Sequence, residues 1–373
     1  MEYTSFGSTG EQVSRLGLGC MRLPKDESVA VALIRHAIDS GVTYLDTAYC
    51  YQDSEKVVGK ALKGGYRDKV LLATKAPLWN IGCHGDFGRC LDEQLARLGT
   101  DHVDVYLLHN LDAGNLKRAK LHDGFGFLHD ITQSGKARYQ GFSMHNSTEV
   151  FSQVAQDYYW DMAQIQLNIL DEHQQVGAAG LRLGAALGLA MVIMEPLRGG
   201  ALLRHAPPAA RALVAQHPER RSLAEWCFRW LYDMPEATVV LSGCSTREHL
   251  DEDLRIFDRS SPHSLSEGDA AFVECLVSAY RKSLTVPCTG CGYCMPCPQG
   301  VDIPAVLAAF NTCLLGGTPQ LNDRVHYQNA LVPNAQAADR CVACRACEEQ
   351  CPQSLAVTRL LVEAHTALSK SYR

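Results

Sequence analysis

The sequence lacks long hydrophobic runs and clustered positive charge, and both absences exclude classes of function. No apolar stretch approaches the ~18 residues of a membrane helix. The first residues, MEYTSFGSTGEQ, have neither the basic segment nor the apolar core of an export signal. The 373 residues include 35 basic and 41 acidic side chains, for a formal net charge of −6. We therefore expect a cytoplasmic protein with no membrane span and no nucleic-acid partner.

A dinucleotide-binding G-x-G-x-x-G loop is also missing, and no flavin fingerprint of the Rossmann type appears. Up to about residue 283, short apolar runs rich in β-branched residues alternate with segments of helical period, which predicts a parallel sheet. The predicted strands are Arg15–Cys20, Thr43–Asp46, Val70–Lys75, Val103–His109, Ala137–Ser143, Met162–Asn168, Leu189–Glu195 and Ala237–Ser242. Eight strand–helix units predict an α/β fold, a (β/α)8 TIM barrel over residues 1–282. The turn signal Ser8-Thr9-Gly10 predicts a hairpin that plugs the barrel floor.

Cysteine, by contrast, is abundant and unevenly distributed. Of the 16 cysteines, nine lie between Cys288 and Cys351. In a reducing compartment such a group favours a metal site over disulfides. The change in composition near Ser283 predicts a second, smaller domain over residues 283–373. We expect this domain to be a mostly helical, ferredoxin-like iron–sulfur domain, because the helical stretch IPAVLAAFNTCLLGG separates two cysteine runs.

The two cysteine runs have the spacing of cluster ligands. The first run is CTGCGYCMPCP, and the second, CVACRACEEQCP, has the C-x2-C-x2-C-x3-C-P form of two-cluster ferredoxins, in which the last cysteine ligates the other cluster. We predict two [4Fe-4S] clusters. The first would be held by Cys288, Cys291, Cys294 and Cys351, and the second by Cys341, Cys344, Cys347 and Cys297.

Structural zinc is the alternative, because zinc also binds C-x2-C pairs. Two runs of four cysteines, each followed by proline, suit tetrahedral zinc poorly. Cys313 lies in an apolar helical stretch, and we expect it to be a packed core thiol like the seven cysteines of the barrel.

Polar side chains stand at or just beyond the ends of successive predicted strands, where TIM barrels carry their chemistry. They are Asp46, Tyr51, Lys75 and His109. Each alone has an ordinary structural explanation, such as a helix cap or a solvated lysine. Their recurrence at neighbouring strand ends indicates a catalytic site.

Eight segments of the sequence resemble the aldo/keto reductase family, in family order and over about residues 1–260. They are GLGCMRLP, DTAYCYQDSEKVVGKAL, LLATKAP, DHVDVYLLH, GFSMH, AQIQLN, EPLRGGAL and LSGCSTREHLDEDL. Together with the cysteine runs, the whole chain resembles the aldo/keto reductases of anaerobic and facultative microbes that carry a C-terminal two-cluster domain. The resemblance implies NAD(P)H-dependent reduction of an aldehyde or ketone, or the reverse, and a small-molecule carbonyl or alcohol substrate.

The resemblance also implies a catalytic tetrad. Tyr51 would be the general acid, and the Lys75 ammonium would lower its pKa from the ~10 of a free phenol. Asp46 would hold Lys75 in place, and His109 would orient the carbonyl and stabilise the developing oxyanion. Tyr49 is a rival for the acid role, but the family spacing of five residues from Asp46 favours Tyr51.

Further positions would bind the nicotinamide cofactor if the resemblance holds. Ser143 and Gln164 would hold the carboxamide. The turn after the seventh barrel strand would line the pyrophosphate with Glu195, Pro196, Leu197, Gly199 and Gly200. The residues around the last strand and helix would approach the adenosine: Gly243, Cys244, Ser245, Arg247, His249, Glu252 and Asp253. The segments LDAGNLKRAKLHDG and LLRHAPPAARALVAQHPERRS are expected to border the substrate pocket.

Four positions in and beside this proposed site depart from the commoner family pattern. Met144 replaces an Asn, Met194 a Tyr, His249 the 2′-phosphate Arg and Asp253 the adenine-binding Asn. The choice between NADP(H) and NAD(H) therefore stays open, although Arg247 as a substitute phosphate partner favours NADP(H).

Hydride transfer and iron–sulfur chemistry leave two hypotheses for the whole chain. In the first, the protein is a carbonyl reductase whose clusters are structural, redox-sensing or partner-docking. In the second, it is an electron-transfer oxidoreductase, and its clusters relay single electrons between a partner protein and a substrate or flavin bound in the barrel. A third hypothesis, a non-enzymatic redox sensor with a vestigial barrel, is disfavoured by the complete tetrad, and we favour the first.

Overall fold

The computed structural model describes residues 1–111, 113–173, 175–283, 286–314 and 327–369. The chain forms two compact units. The barrel unit comprises Met1–Pro196 and Phe228–Leu265, and the cysteine unit comprises Leu197–Cys227 and Ser266–Arg373. The predicted division of the chain at residue 282 stays a prediction.

A closed barrel of eight parallel strands forms the centre of the barrel unit. Its strands are β3 (Leu16–Gly19), β4 (Tyr44–Asp46), β5 (Leu71–Ala76), β6 (Val103–Leu108), β7 (Ala137–Met144), β8 (Met162–Gln166), β9 (Ala190–Met194) and β10 (Val239–Ser242). β10 pairs with β3, with Val240 opposite Leu16, and this pairing closes the barrel. The predicted (β/α)8 barrel is confirmed, and each strand lies within two residues of its predicted bounds.

The N-terminal hairpin lies against the amino ends of the barrel strands. β1 (Tyr3–Ser5) pairs antiparallel with β2 (Gln12–Ser14). Phe6, directly after β1, is fully buried in one apolar cluster with Tyr44 and Val239. Tyr44 is the first residue of β4, and Val239 is the first residue of β10. The two rings of Phe6 and Tyr44 stand 5.8 Å apart. The hairpin therefore fills the barrel floor, as its turn signal predicts.

Helices follow the strands of the barrel unit: α1 (Glu27–Asp39), α2 (Ser54–Ala61), α3 (His84–Leu98), α4 (Ala113–Leu121), α5 (Gly124–Gln133), α6 (Thr148–Asp157), α7 (Gly177–Ala186) and α11 (Arg247–Asp258). Local sequence explains their ends. The Asp26 carboxylate caps α1 by accepting from two backbone N–H groups. Gly99 ends α3 in the left-handed region, at φ 65°, where a side chain would be strained.

The cysteine unit is helical in its described part. It contains α8 (Ala201–Arg204), α9 (Pro208–Gln216), the first half of α10 (Leu223–Tyr232), α12 (Glu267–Arg281), α13 (Ile303–Leu314), α14 (Ala346–Glu349) and α15 (Val357–Leu368). The predicted helical stretch IPAVLAAFNTCLLGG continues to residue 317, and its last three residues lie outside the described residues. Nowhere in the described ranges is a helix both long and apolar enough to cross a membrane.

Candidate functional site

A buried ion pair joins the ends of two neighbouring barrel strands. Asp46 ends β4, and Lys75 lies one residue before the end of β5. The Lys75 Nζ stands 2.7 and 2.8 Å from the two Asp46 carboxylate oxygens and 2.8 Å from the carbonyl oxygen of Thr47. Burial raises the pKa of Asp46, and the Lys75 ammonium opposes this rise. Each charge is hidden from water, so removing either one would leave the other unpaired at a cost of several kcal/mol, about 3–5.

Two aromatic side chains complete the group. Lys75 Nζ lies 4.9 Å from the ring centroid of Tyr51, which stands in the turn between β4 and α2. The ring of His109, directly after β6, meets the Tyr51 ring edge-on at 6.1 Å. The ring of Trp79 is tilted against that of His109, with the ring centroids 5.2 Å apart. The structure thus brings the four residues predicted from the strand ends together.

His109 is surrounded in a way that keeps it neutral. Burial, with help from the nearby charges of Lys75 and His145, places the pKa of His109 well below its usual value. The Cys50 Sγ lies 3.9 Å from His109 Nδ1. A thiol donating to Nδ1 favours the tautomer with the proton on Nε2, which leaves that nitrogen as a donor.

Tyr49 has its hydroxyl engaged elsewhere. It donates to Glu93 Oε2 on α3 at 2.8 Å, and the Arg97 guanidinium lies 4.3 Å from its ring centroid. The bond to the Glu93 carboxylate raises the pKa of Tyr49. This arrangement favours Tyr51 over Tyr49 as the proton donor.

A polar network behind Lys75 was not predicted from the sequence. Glu55 Oε1 accepts from Thr74 Oγ1 and from Gln94 Nε2, each at 2.8 Å. Gln94 also donates to the carbonyl oxygen of Lys75 at 3.1 Å and accepts from the Tyr106 hydroxyl at 2.8 Å. The network holds the main chain of β5 at the lysine.

One sequence signal could have revealed this network. The buried face of α3 consists of Phe87, Cys90, Leu91, Gln94, Leu95 and Leu98. Gln94 is the one amide in a helical row that is otherwise apolar or cysteine. A polar residue at a core position needs buried hydrogen-bond partners, and in the structure Glu55 and Thr74 supply them.

The residues proposed for the nicotinamide carboxamide lie side by side. Ser143 on β7 stands opposite Gln164 on β8, and both are buried. Ser143 Oγ accepts from the backbone N–H of Asn110 at 2.9 Å. The Gln164 side chain hydrogen-bonds the Asp46 carboxylate, while its Oε1 is buried without a hydrogen-bond partner among the described residues. A buried acceptor of this kind calls for a donor from a ligand or water.

The two methionines that depart from the family pattern are packing residues here. Met144 ends β7 and is fully buried. Met194 ends β9 and packs against the apolar barrel interior. Glu195 and Pro196 follow it in the barrel unit, whereas Leu197, Gly199 and Gly200 belong to the cysteine unit.

The predicted adenosine residues follow β10. Gly243, Ser245, Arg247 and His249 are exposed, and Glu252 is half-buried. Asp253 is buried, and its carboxylate accepts from Ser242 Oγ at 2.6 Å and from Cys244 Sγ at 3.0 Å. Burial raises the pKa of Asp253 to about 6. Asp253 and Cys244 are therefore already hydrogen-bonded to each other. The side chains left to contact a ligand are the exposed ones of Ser245, Arg247 and His249.

The segments expected to border a substrate are helical. Within LDAGNLKRAKLHDG, Ala113–Leu121 form α4, and residue 112 lies outside the described residues. LLRHAPPAARALVAQHPERRS contains the end of α8 and all of α9, within the cysteine unit.

A pH dependence of stability follows from His145, whose Nδ1 lies 3.1 Å from Gln175 Oε1. Burial lowers the pKa of His145 to about 4. Between about pH 6.5 and 4 the unfolded chain binds a proton that the folded chain does not, so stability falls as the pH falls. One such group contributes at most about 1.4 kcal/mol per pH unit. We expect His145→Gln to show a shallower loss in urea unfolding across this range, and an unchanged slope contradicts the prediction.

In the cysteine unit, four predicted ligands surround one cavity. The lining of this cavity includes Cys288, Cys291, Cys294 and Cys351. Burial and the neighbouring thiols of Cys291, Cys288 and Cys351 raise the pKa of Cys294 to about 12. These four cysteines are the ones predicted to hold the first cluster, and they include Cys351 from the second run.

Three cysteines of the second run lie near one another. Burial, with Glu348, Cys341 and Cys344 nearby, raises the pKa of Cys347 to about 11. Six predicted ligands pack against one apolar core that includes Leu307, Phe310 and Leu361; these are Cys288, Cys294, Cys297, Cys341, Cys347 and Cys351. Cys344 is exposed.

Across the described ranges, no group of three or more His, Cys, Asp or Glu side chains is placed to hold a single metal ion. The iron–sulfur clusters and the zinc alternative both stay predictions.

Comparisons with known proteins identify the barrel. The model of the aldo/keto reductase family matches residues 15–266. Aldo-keto reductase YhdN of Bacillus subtilis (strain 168) is 42% identical over 125 residues, which are 29% of this chain and 38% of the relative. The chain thus spans well under half the length of this relative.

Solved structures share the fold. Aldo-keto reductase AKR11C1 from Bacillus halodurans, in its holo form, matches with a TM-score of 0.62 at 24% identity, over 75% of this chain and 97% of that one. The thermostable aldo-keto reductase Tm1743 in complex with the inhibitor epalrestat also gives a TM-score of 0.62 at 24% identity, over 75% of this chain and 100% of that one. The fold and the family match agree: the chain belongs to the aldo/keto reductase family.

Proposed function

We propose that the protein reduces an aldehyde or ketone to an alcohol, or catalyses the reverse reaction, with NAD(P)H, and that it carries two [4Fe-4S] clusters. The observation that carries the proposal is the buried Asp46–Lys75 pair beside the Tyr51 ring, with His109 edge-on to that ring. The substrate is a small carbonyl compound or alcohol. Thiolate cluster ligands need a reducing compartment, which favours the cytoplasm.

Tyr51 is the proton donor in this mechanism. When bound, NAD(P)H supplies a hydride to the carbonyl carbon. The Tyr51 hydroxyl gives its proton to the carbonyl oxygen, so that one C–H and one O–H bond form and the C=O double bond becomes single. Lys75 stabilises the phenolate that remains, and Asp46 fixes the ammonium at 2.7 Å so that it stays aimed at the ring.

His109 acts as a neutral hydrogen-bond donor. In the tautomer whose Nδ1 accepts from the Cys50 thiol, the proton lies on Nε2, which can donate to the carbonyl oxygen. A donor that stays neutral stabilises the charge that develops on this oxygen without competing with Tyr51 to transfer a proton.

The proposed cofactor contacts have support in the barrel unit. The orphaned Gln164 Oε1 can accept from the carboxamide amine, and Ser143 stands beside it. Arg247 is the first residue of α11, and its side chain is 68% exposed. Its Nε lies 3.6 Å from Asp251 Oδ2, which makes a weak, solvent-exposed ion pair. An exposed guanidinium and the N-terminal N–H groups of this helix suit a 2′-phosphate, which favours NADP(H) over NAD(H).

The thiols fit the proposed clusters. Cys288, Cys291, Cys294 and Cys351 share a cavity and would hold the first cluster. The second would be held by Cys341, Cys344, Cys347 and Cys297. Bound clusters would supply one-electron redox chemistry and would cross-link the two cysteine runs.

The test is turnover of the anaerobically purified protein. We expect oxidation of NADPH, and more slowly of NADH, with at least one member of a panel of aldehydes and ketones, followed at 340 nm. The Cys341→Ala variant should keep this activity if the second cluster is structural or sensory. Absence of turnover with every carbonyl and both nucleotides contradicts the proposed reaction.

The electron-relay alternative has one supporting observation. Cys344 of the second run is exposed, and its neighbour Val342 is 62% exposed, so a cluster bound there would lie near solvent, within reach of a partner protein. A relay predicts substrate reduction by chemically reduced clusters without any nicotinamide. Full NADPH-linked activity of Cys341→Ala contradicts the relay.

A further inference from the structure

We propose that Arg198 is a positioning residue that ties the nucleotide-binding turn to the loop of the first cluster, so that cluster occupancy and nucleotide binding strengthen each other. The inference rests on the proposed function, because it takes Gly199 and Gly200 as pyrophosphate contacts. The contacts that carry it lie entirely within the cysteine unit.

The turn that contains Arg198 has an unusual backbone. Arg198, Gly199 and Gly200 are consecutive left-handed residues, with φ of 49°, 61° and 86°. The glycines adopt this region freely, but a long side chain does not. A non-glycine residue persists there when its surroundings hold it, and Arg198 is only 3% exposed.

The Arg198 side chain reaches the first cluster loop. Its Nη2 donates to the carbonyl oxygen of Pro287 at 3.4 Å, and Pro287 directly precedes Cys288. On α13, Asn311 accepts from the Val286 N–H at 2.8 Å and donates to the Val286 carbonyl at 2.6 Å. The main chain that leads to Cys288 is therefore held by α13 and by Arg198.

The rest of the 197–227 segment has its own anchors. The Tyr280 hydroxyl of α12 donates to the carbonyl oxygen of Leu202. Arg221 pairs with Asp269 at 3.0 Å, and the rings of Trp226 and Phe272 stand 4.6 Å apart. Replacing Arg198 should therefore loosen the turn without unfolding the segment.

Cluster binding gives Arg198 a fixed acceptor. Gly290 and Gly292 in the cluster loop both have positive φ, so the loop has much backbone freedom to lose. Once four thiolates hold a cluster, this ordering cost no longer falls on the Arg198 contact. Since coupling is reciprocal, a nucleotide that orders the turn should also retain the cluster.

The experiment uses the cluster-loaded protein and NADP⁺, which binds without delivering electrons. Iron release to a chelator is timed with and without saturating NADP⁺, under anaerobic conditions. For the wild type we expect about ten-fold slower release with NADP⁺, within the usual range of coupling between sites. Arg198→Met should show no such protection, and Arg198→Lys should restore part of it, because an ammonium can still donate to Pro287.

The matched control is Arg359→Met. Arg359 is 74% exposed on α15 and pairs with Glu363 at 3.4 Å, so this variant should behave as the wild type. Nucleotide affinity and iron content are measured for every variant. Equal protection of the wild type and Arg198→Met overturns the inference, as does a wild type that binds both ligands without protection. A wild type that binds neither iron nor NADP⁺ overturns the proposed function itself. If Arg198→Met fails to fold, Arg198→Ala takes its place, and protection equal to the wild type's in that variant then overturns the inference.

Discussion

Replacing Tyr51 with phenylalanine is expected to lower kcat about 100- to 10,000-fold while leaving the affinity for NADPH nearly unchanged. General acid catalysis by a positioned side chain contributes a factor of this size. The substitution removes only the hydroxyl, so Lys75 keeps its three contacts with Asp46 and Thr47 and the barrel core is undisturbed. Single-turnover absorbance at 340 nm, with nucleotide binding measured by fluorescence, separates the two quantities.

The matched control is Tyr49→Phe, two residues away in the same turn. It should lower kcat only about two- to three-fold, since the Tyr49 hydroxyl bonds Glu93 on α3. A large loss in Tyr49→Phe with a small one in Tyr51→Phe would reverse the assignment. Equal small losses would mean that neither tyrosine is the acid.

Much of this site was predictable because the barrel places it. An apolar run that ends in a polar residue marks the carboxyl end of a strand, and parallel strands in a closed barrel bring those ends to one rim. Asp46, Lys75 and His109 therefore meet once the strand order is known. The hairpin was predictable as well, because its turn residues are local.

Contacts between distant segments were beyond the sequence patterns. Periodicity marks Gln94 as inward-facing, but not that it bonds Glu55 and the main chain of Lys75. Likewise, no local signal shows that residues 197–227 pack with α12 through Trp226 and Phe272. Side-chain pairing depends on tertiary geometry, which composition and spacing do not contain.

The second prediction with a large effect concerns which cysteines hold which cluster. Crossed ligation assigns Cys351 to the cluster of Cys288, Cys291 and Cys294, and the shared cavity supports that assignment. Fully loaded protein should hold about eight iron atoms. The double variant Cys288→Ala/Cys351→Ala should retain about four, because both changes strike one cluster. Cys288→Ala/Cys297→Ala should lose nearly all eight, because one change strikes each cluster.

Linear ligation, with each run holding its own cluster, predicts the opposite pattern for the same two double variants. Iron and acid-labile sulfide counts on anaerobically purified protein therefore discriminate between the two arrangements. Cys275→Ala serves as the control, since Cys275 is exposed on α12 and outside both runs, and it should keep about eight irons. Four irons in the wild type would contradict both arrangements, because the two runs would then supply ligands to a single cluster. If Cys288→Ala/Cys351→Ala retains about four irons and Cys288→Ala/Cys297→Ala does not, then Cys297 and Cys351 each ligate the cluster of the other run. Such crossed ligation links the two runs into one unit.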